Sequence, residues 1–129
     1  MKEYIISCNV KRFDVISFVS EHGTLYWRQS KAVNPGDVIY IYVGVPYSRL
    51  YYTCVVLQSN LDSCPDTMSY YQDNKAKRYM KLGDIKALPE EGLYLQDLTD
   101  NGVKTVQCST EVSLKFHEYL SEVLKGDRQ

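Results

Sequence analysis

The stretch from Trp27 to Val56 constrains the fold most, because it sets turn chemistry between a Trp and two strongly β-forming runs. In Asn34-Pro35-Gly36-Asp37, Pro fixes φ and Gly accepts the positive φ of a type II turn. Val38 to Val43 then places Val, Tyr and Tyr on one face and Ile, Ile and Val on the other, so both faces require cover. Gly44-Val45-Pro46 breaks that run, and Arg49 to Gln58 resumes a strand. Two adjacent strands of one sheet are expected.

The remainder supplies further elements in mixed order. Residues 3 to 8 form a short apolar strand. Phe13, Ile16 and Val19, with Val15 and Phe18 beside them, repeat at helical spacing until Gly23 closes the helix. Asn60 to Lys75 is a polar excursion with turn formers, and Lys77 to Lys86 returns as a strand ended by Pro89. Leu93, Leu95 and Leu98 read as a short helix closed at Asn101-Gly102. Val112, Phe116, Tyr119, Leu120, Val123 and Leu124 form one apolar stripe on a last helix, with Ser109 or Thr110 as its cap. At 129 residues the chain is sized for one α+β domain spanning 1–129.

Several of these stretches together resemble the EVE domain of the PUA-like superfamily, in the small bacterial form found alone or beside an HNH nuclease. Tyr4-Ile5-Ile6-Ser7-Cys8-Asn9 resembles the opening strand, and Trp27 to Val56 the Trp, amide, Pro-Gly turn and paired strands. Arg78-Tyr79-Met80-Lys81-Leu82 resembles the returning strand, and Leu93 to Gly102 with Val106-Gln107 and the final helix the closing segment. The resemblance implies a small mixed β-barrel of five or six strands flanked by helices, including 11–21 and 110–124. It further implies a nucleic-acid reader that accepts a modified base in a pocket of the barrel.

Charge qualifies that reading. A net charge of −1 means that any affinity for a polyanion must come from a local basic face. Lys11, Arg12, Arg28, Lys31, Arg49, Lys75, Lys77, Arg78 and Lys81 lie in the first two thirds, and acidic residues crowd the last third. The opening Met1-Lys2-Glu3-Tyr4 leads into a strand pattern rather than a leader, no run reaches membrane-spanning length, and a cytoplasmic protein with reduced thiols is expected. Cys8, Cys54, Cys64 and Cys108 have no C-x-x-C spacing, and neither His22 nor His117 joins them in a ligand pattern. No cofactor or metal is expected.

An oriented nucleophile–base pair is also missing from the pattern, as are a phosphate-cradling Gly-rich loop and a His-Glu-x-x-His motif. Binding is therefore expected rather than catalysis. A flipped base needs an aromatic face, amides for its edge and cations for flanking phosphates. Asn9, Trp27, Gln29, Ser30, Tyr47 and Tyr79 are expected to converge as a base-binding pocket with the Trp27 ring partly exposed. Lys11, Arg12, Arg28, Lys31, Arg49 and Arg78 are expected to meet phosphates. Each residue has a competing structural role: Trp27 and Tyr79 as core, Asn9 as a turn former and Tyr47 as rim packing. The partner implied is nucleic acid, modified DNA ahead of RNA, with a nuclease or ATPase acting on the signal. The alternative is a small-molecule or protein-interaction module on the same fold.

Overall fold

The computed structural model describes residues 1–63 and 78–127. Cys64, Lys75, Lys77 and most of the polar excursion expected over 60–75 lie outside the described residues. The element order is β1 (Glu3–Cys8), α1 (Val15–His22), β2 (Leu25–Arg28), β3 (Val38–Val43), β4 (Arg49–Leu61), β5 (Tyr79–Ala87), α2 (Leu95–Asp100), β6 (Thr110–Glu111) and α3 (Leu114–Asp127). The strands form one sheet in the order β2-β5-β4-β3-β1-β6, in which β1 and β3 run parallel and every other pair is antiparallel. Just outside the two edge strands, Ser30 Oγ donates to Ser109 Oγ at 2.7 Å, so the sheet curls until its edges meet. This is the small mixed barrel with flanking helices that the sequence implied.

The curl divides the apolar residues between two layers. Tyr4, Ile6 and Cys8 of β1, Leu25 and Trp27 of β2, Ile39, Ile41 and Val43 of β3 and Met80 and Leu82 of β5 face inward, where Phe13, Val15 and Phe18 plug the concave side. On the outer face Ile5, Tyr40, Tyr42 and Leu50 are covered by Leu93, Leu98, Phe116 and Leu120 from the α2 and α3 segments. β3 is thus covered on both faces, as its unbroken β-forming run demands.

Local chemistry fixes the ends of these elements. Asp14 caps α1 by accepting from Ser17 N–H at 3.2 Å, and Gly23 closes it in the left-handed region at φ 73°. In the Pro-Gly turn Gly36 has φ 96° and Asp37 N–H donates to Asn34 C=O at 3.0 Å. The buried Asp37 carboxylate accepts from Lys2 N–H and Asn34 N–H at 3.0 and 2.9 Å, which locks the turn to the start of β1. Two boundaries differ from expectation. The first helix begins at Val15 because residues 9–13 form a turn. The last begins at Leu114, capped by Ser113 through Phe116 N–H at 3.2 Å, because Thr110 and Glu111 pair with Ile5 and Tyr4 as an edge strand. Among the described residues no helix is long and apolar enough to cross a membrane.

Candidate nucleic-acid interface

At the end of the barrel where β1 and β3 both terminate there is an open cleft of about 390 Å³, lined by residues of β1, β3, the 44–45 turn and the segment before β6. That volume lies within the range typical of small-ligand sites, roughly 300–1,000 Å³. Its walls follow from the parallel β1–β3 pairing, which places Cys8 beside Val43 and lets Gly44 N–H donate to Cys8 C=O at 3.0 Å. Both chains then turn sharply at the same level. Asn9 C=O accepts from Arg12 and Phe13 N–H at 3.0 and 3.1 Å, and Asn9 Oδ1 accepts from Lys11 N–H at 3.0 Å. Gly44 C=O accepts from Tyr47 and Ser48 N–H at 3.0 and 3.2 Å.

The polar residues that line this cleft are Ser7, Asn9, Lys11 and Gln107, alongside Tyr42, Val45 and Val106. Amides and a hydroxyl can donate and accept at once, as a base edge requires, and a lysine on the rim suits an adjacent phosphate. Burial pushes the ionisation of Tyr42 up, so its phenol is neutral. Burial likewise pushes the Cys8 thiol up to about 12, and Cys8 Sγ donates to Phe13 C=O at 3.4 Å. Cys8 is held as a protonated thiol, not as a nucleophile. Among the described residues no group of three His, Cys, Asp or Glu could hold a metal ion.

The six residues expected to share one pocket do not converge. β2 runs antiparallel to β5, and β5 antiparallel to β4, so β2 points away from the end where β1 and β3 finish. Asn9 and Tyr47 sit at the cleft end; Gln29 and Tyr79 sit at the far end, and Ser30 closes the seam. Trp27 is 5% exposed, with its ring 5.7 Å from that of Phe13 in the concave core. An inward-facing β2 position under the α1 plug leaves no face for stacking. Tyr79 is 5% exposed and pairs with Arg28 and Leu61. Tyr47 is exposed, packed edge-on against Tyr51 at 5.5 Å.

Gln29 has a structural task that the sequence did not disclose. Its Nε2 donates to Asn60 Oδ1 at 3.0 Å while its Oε1 accepts from Asn60 N–H at 2.8 Å. Asn60 sits in the left-handed region at φ 58°, and the irregular β4–β5 register there leaves its backbone in need of such a partner. Arg78 Nη1 donates to the same Asn60 oxygen at 3.3 Å.

The expected phosphate contacts separate in the same way. Lys11 and Arg12 are exposed at the cleft end, whereas Arg28, Lys31 and Arg78 lie around the far end and the seam. Arg49 is committed within the fold: it donates to Leu88 and Pro89 C=O at 3.4 and 3.2 Å and lies 4.1 Å over the Tyr51 ring. Ser7, Tyr42, Val45 and Gln107 are among the lining residues that sequence reasoning missed as site residues. Tyr42 reads as a core position of a doubly covered strand, and Gln107 lies in a segment without periodicity. The signal available was the resemblance of Val106-Gln107 to the family's closing segment.

No protein-family model matches the sequence, and no curated protein matches it. Solved structures match it across nearly the whole chain. ASCH from Zymomonas mobilis superposes with a TM-score of 0.71 at 15% identity, covering 95% of each chain. The fold is PUA-like. A Pseudomonas putida protein matches with a TM-score of 0.68 at 12% identity, over 94% of this chain and 98% of that one. The N-terminal domain of McrB from Thermococcus gammatolerans, bound to m5C DNA, matches with a TM-score of 0.58 at 11% identity over 100% of both chains. A domain bound to m5C DNA therefore shares this frame.

Proposed function

We propose that this chain is a non-catalytic reader that accepts a modified base of DNA in the cleft at the shared end of β1 and β3. The observation that carries the reading is the convergence of Ser7, Asn9 and Gln107 with Lys11 around a base-sized opening. The PUA-like frame supports it, because one domain with that frame is bound to m5C DNA. In this reading the Asn9 and Gln107 amides and the Ser7 hydroxyl meet the base edge, Tyr42 and Val45 supply apolar contact, and Lys11 and Arg12 meet the flanking phosphates. Arg28, Lys31 and Arg78, at the other end, contribute general attraction to the polyanion rather than contacts at the base. A separate nuclease or ATPase acts on the signal in the cytoplasm.

The test is a titration of wild type, Lys11→Ala, Asn9→Ala and Gln107→Ala against modified and plain oligonucleotides at two salt concentrations. Lys11→Ala weakens binding to both strands alike and lowers the salt dependence by about one phosphate contact. Gln107→Ala narrows the difference between modified and plain strands, with about 1–3 kcal/mol expected for a good base-edge contact. Absence of binding to every strand at low salt would instead favour a module without nucleic-acid contacts.

A further inference from the structure

Seven large apolar or aromatic side chains stand exposed among the described residues: Met1, Val45, Tyr47, Leu57, Tyr94, Leu95 and Leu114. Four of them, Val45, Tyr47, Tyr94 and Leu95, come from two distant parts of the sequence and meet on one surface. The join is made by backbone: Leu95 N–H donates to Ser48 C=O at 3.1 Å, Leu50 N–H donates to Leu93 C=O at 2.9 Å, and Arg49 bridges to Tyr94. Val45 is 70% exposed and Leu95 45%. Scattered apolar residues are normal on a surface, whereas a contiguous group rimmed by polar ones marks an interaction site.

The rim decides what kind of partner fits. Tyr94 Oη donates to Glu90 at 2.9 Å, Glu91 stands next to it, and the Asp97 carboxylate accepts from Tyr94 N–H at 3.0 Å. Beside these three carboxylates stands Arg49, whose guanidinium is occupied by the Leu88 and Pro89 carbonyls and the Tyr51 ring. Such a surface repels a polyanion and attracts cations.

We propose that the Val45, Tyr47, Tyr94 and Leu95 surface, with Glu90 and Glu91 on its rim, is a docking site for a basic protein segment carrying an aromatic or aliphatic anchor. The apolar group desolvates the anchor and the carboxylates meet flanking Lys or Arg, the core-and-rim arrangement of protein interfaces. The surface shares Val45 with the cleft, and Tyr47, Tyr94 and Leu95 lie outside the cleft lining.

The experiment uses the ¹⁵N-labelled chain and three synthetic peptides: one with a Trp-Leu core flanked by Lys and Arg, one with those cations replaced by Glu, and one with Trp-Leu replaced by Ala. A plain oligonucleotide serves as the polyanion. The basic Trp-Leu peptide is expected to shift the amides of 90–97, which lie outside the cleft, and the other two peptides and the oligonucleotide to leave them in place. Glu90→Gln with Glu91→Gln should weaken binding by about threefold or more. Tyr94→Ser with Leu95→Ser should abolish it while leaving the amide spectrum of the remaining sheet unchanged. The proposal is overturned if the Glu peptide or the oligonucleotide shifts these amides equally. It is also overturned if no peptide shifts them, or if they move with protein concentration alone, which would make a second copy the occupant.

Discussion

Trp27→Ala separates a core tryptophan from a stacking platform. The ring is 5% exposed and lies against Phe13 in the concave layer. A tryptophan this deeply placed removes roughly 150–250 Å² from water. At about 25 cal/mol per Å² that area corresponds to about 4–6 kcal/mol, and measured Phe and Trp truncations in cores cost about 3–5 kcal/mol. A loss near 4 kcal/mol takes a large share of the roughly 5–15 kcal/mol that holds a domain folded. With a urea slope of about 2 kcal/mol per molar, the midpoint should fall by about 2 M.

Far-ultraviolet circular dichroism during urea titration measures the shift, and Trp27→Phe should recover much of it because an aromatic ring refills the volume. In the wild type, the single tryptophan offers a second readout: its native emission should be blue-shifted, resistant to acrylamide, and unchanged by an oligonucleotide that binds. A midpoint within about 0.5 M of wild type, less than about 1 kcal/mol, would refute the core assignment, above all if accompanied by lost oligonucleotide affinity.

Gln29→Ala should cost about 0.5–1.5 kcal/mol, because it removes the two exposed hydrogen bonds to Asn60 and leaves Arg78 on the Asn60 oxygen, while leaving the ratio of modified to plain DNA affinity unchanged in the same titration. Burial raises the Cys8 and Cys54 thiols from 9.0 to about 12, so the stability they contribute is complete below pH 9 and lost as pH rises toward 12. In urea titrations at stepped pH each thiol should remove about 1.4 kcal/mol per pH unit above pH 9, and Cys54→Ala should flatten that slope. In native protein a thiol reagent should modify Cys108 rapidly and Cys8 and Cys54 only on unfolding, as followed by mass spectrometry.

The parts of the fold legible in the sequence are those fixed by short-range chemistry. Val38 to Val43 has no polar face, so its burial between two layers follows from its own residues, and Asn34-Pro35-Gly36-Asp37 specifies its turn by φ alone. The Phe13 to Val19 spacing and Gly23 mark a helix, although Asn9 consumes the next residues in a turn and delays its start to Val15. The site was less legible because it depends on strand polarity. Trp27 and Gln29 lie two positions apart in a run that resembles a pocket strand, yet an edge strand reads the same whether it runs toward the cleft or away from it. Asn9 fits both readings at once, since its Oδ1 makes the turn and its amide lines the cleft.

Under the proposed reading, the two ends of the barrel divide the work in a way that would let a chain with net charge −1 address DNA. Cations at the cleft, Lys11 and Arg12, belong to the loop after β1, and those at the far end, Arg28, Lys31 and Arg78, to the other edge of the sheet. The carboxylates Glu90, Glu91 and Asp97 are gathered instead beside the 44–48 turn, whose Val45 also lines the cleft. One short turn therefore borders both a surface that suits a base and a surface that suits a cationic protein. It is pinned at Gly44 to the last residue of β1. Movement of that turn on docking would be felt at once by Asn9, which follows Cys8 directly. Under the proposed reading, such adjacency would let an occupied cleft be reported to a partner.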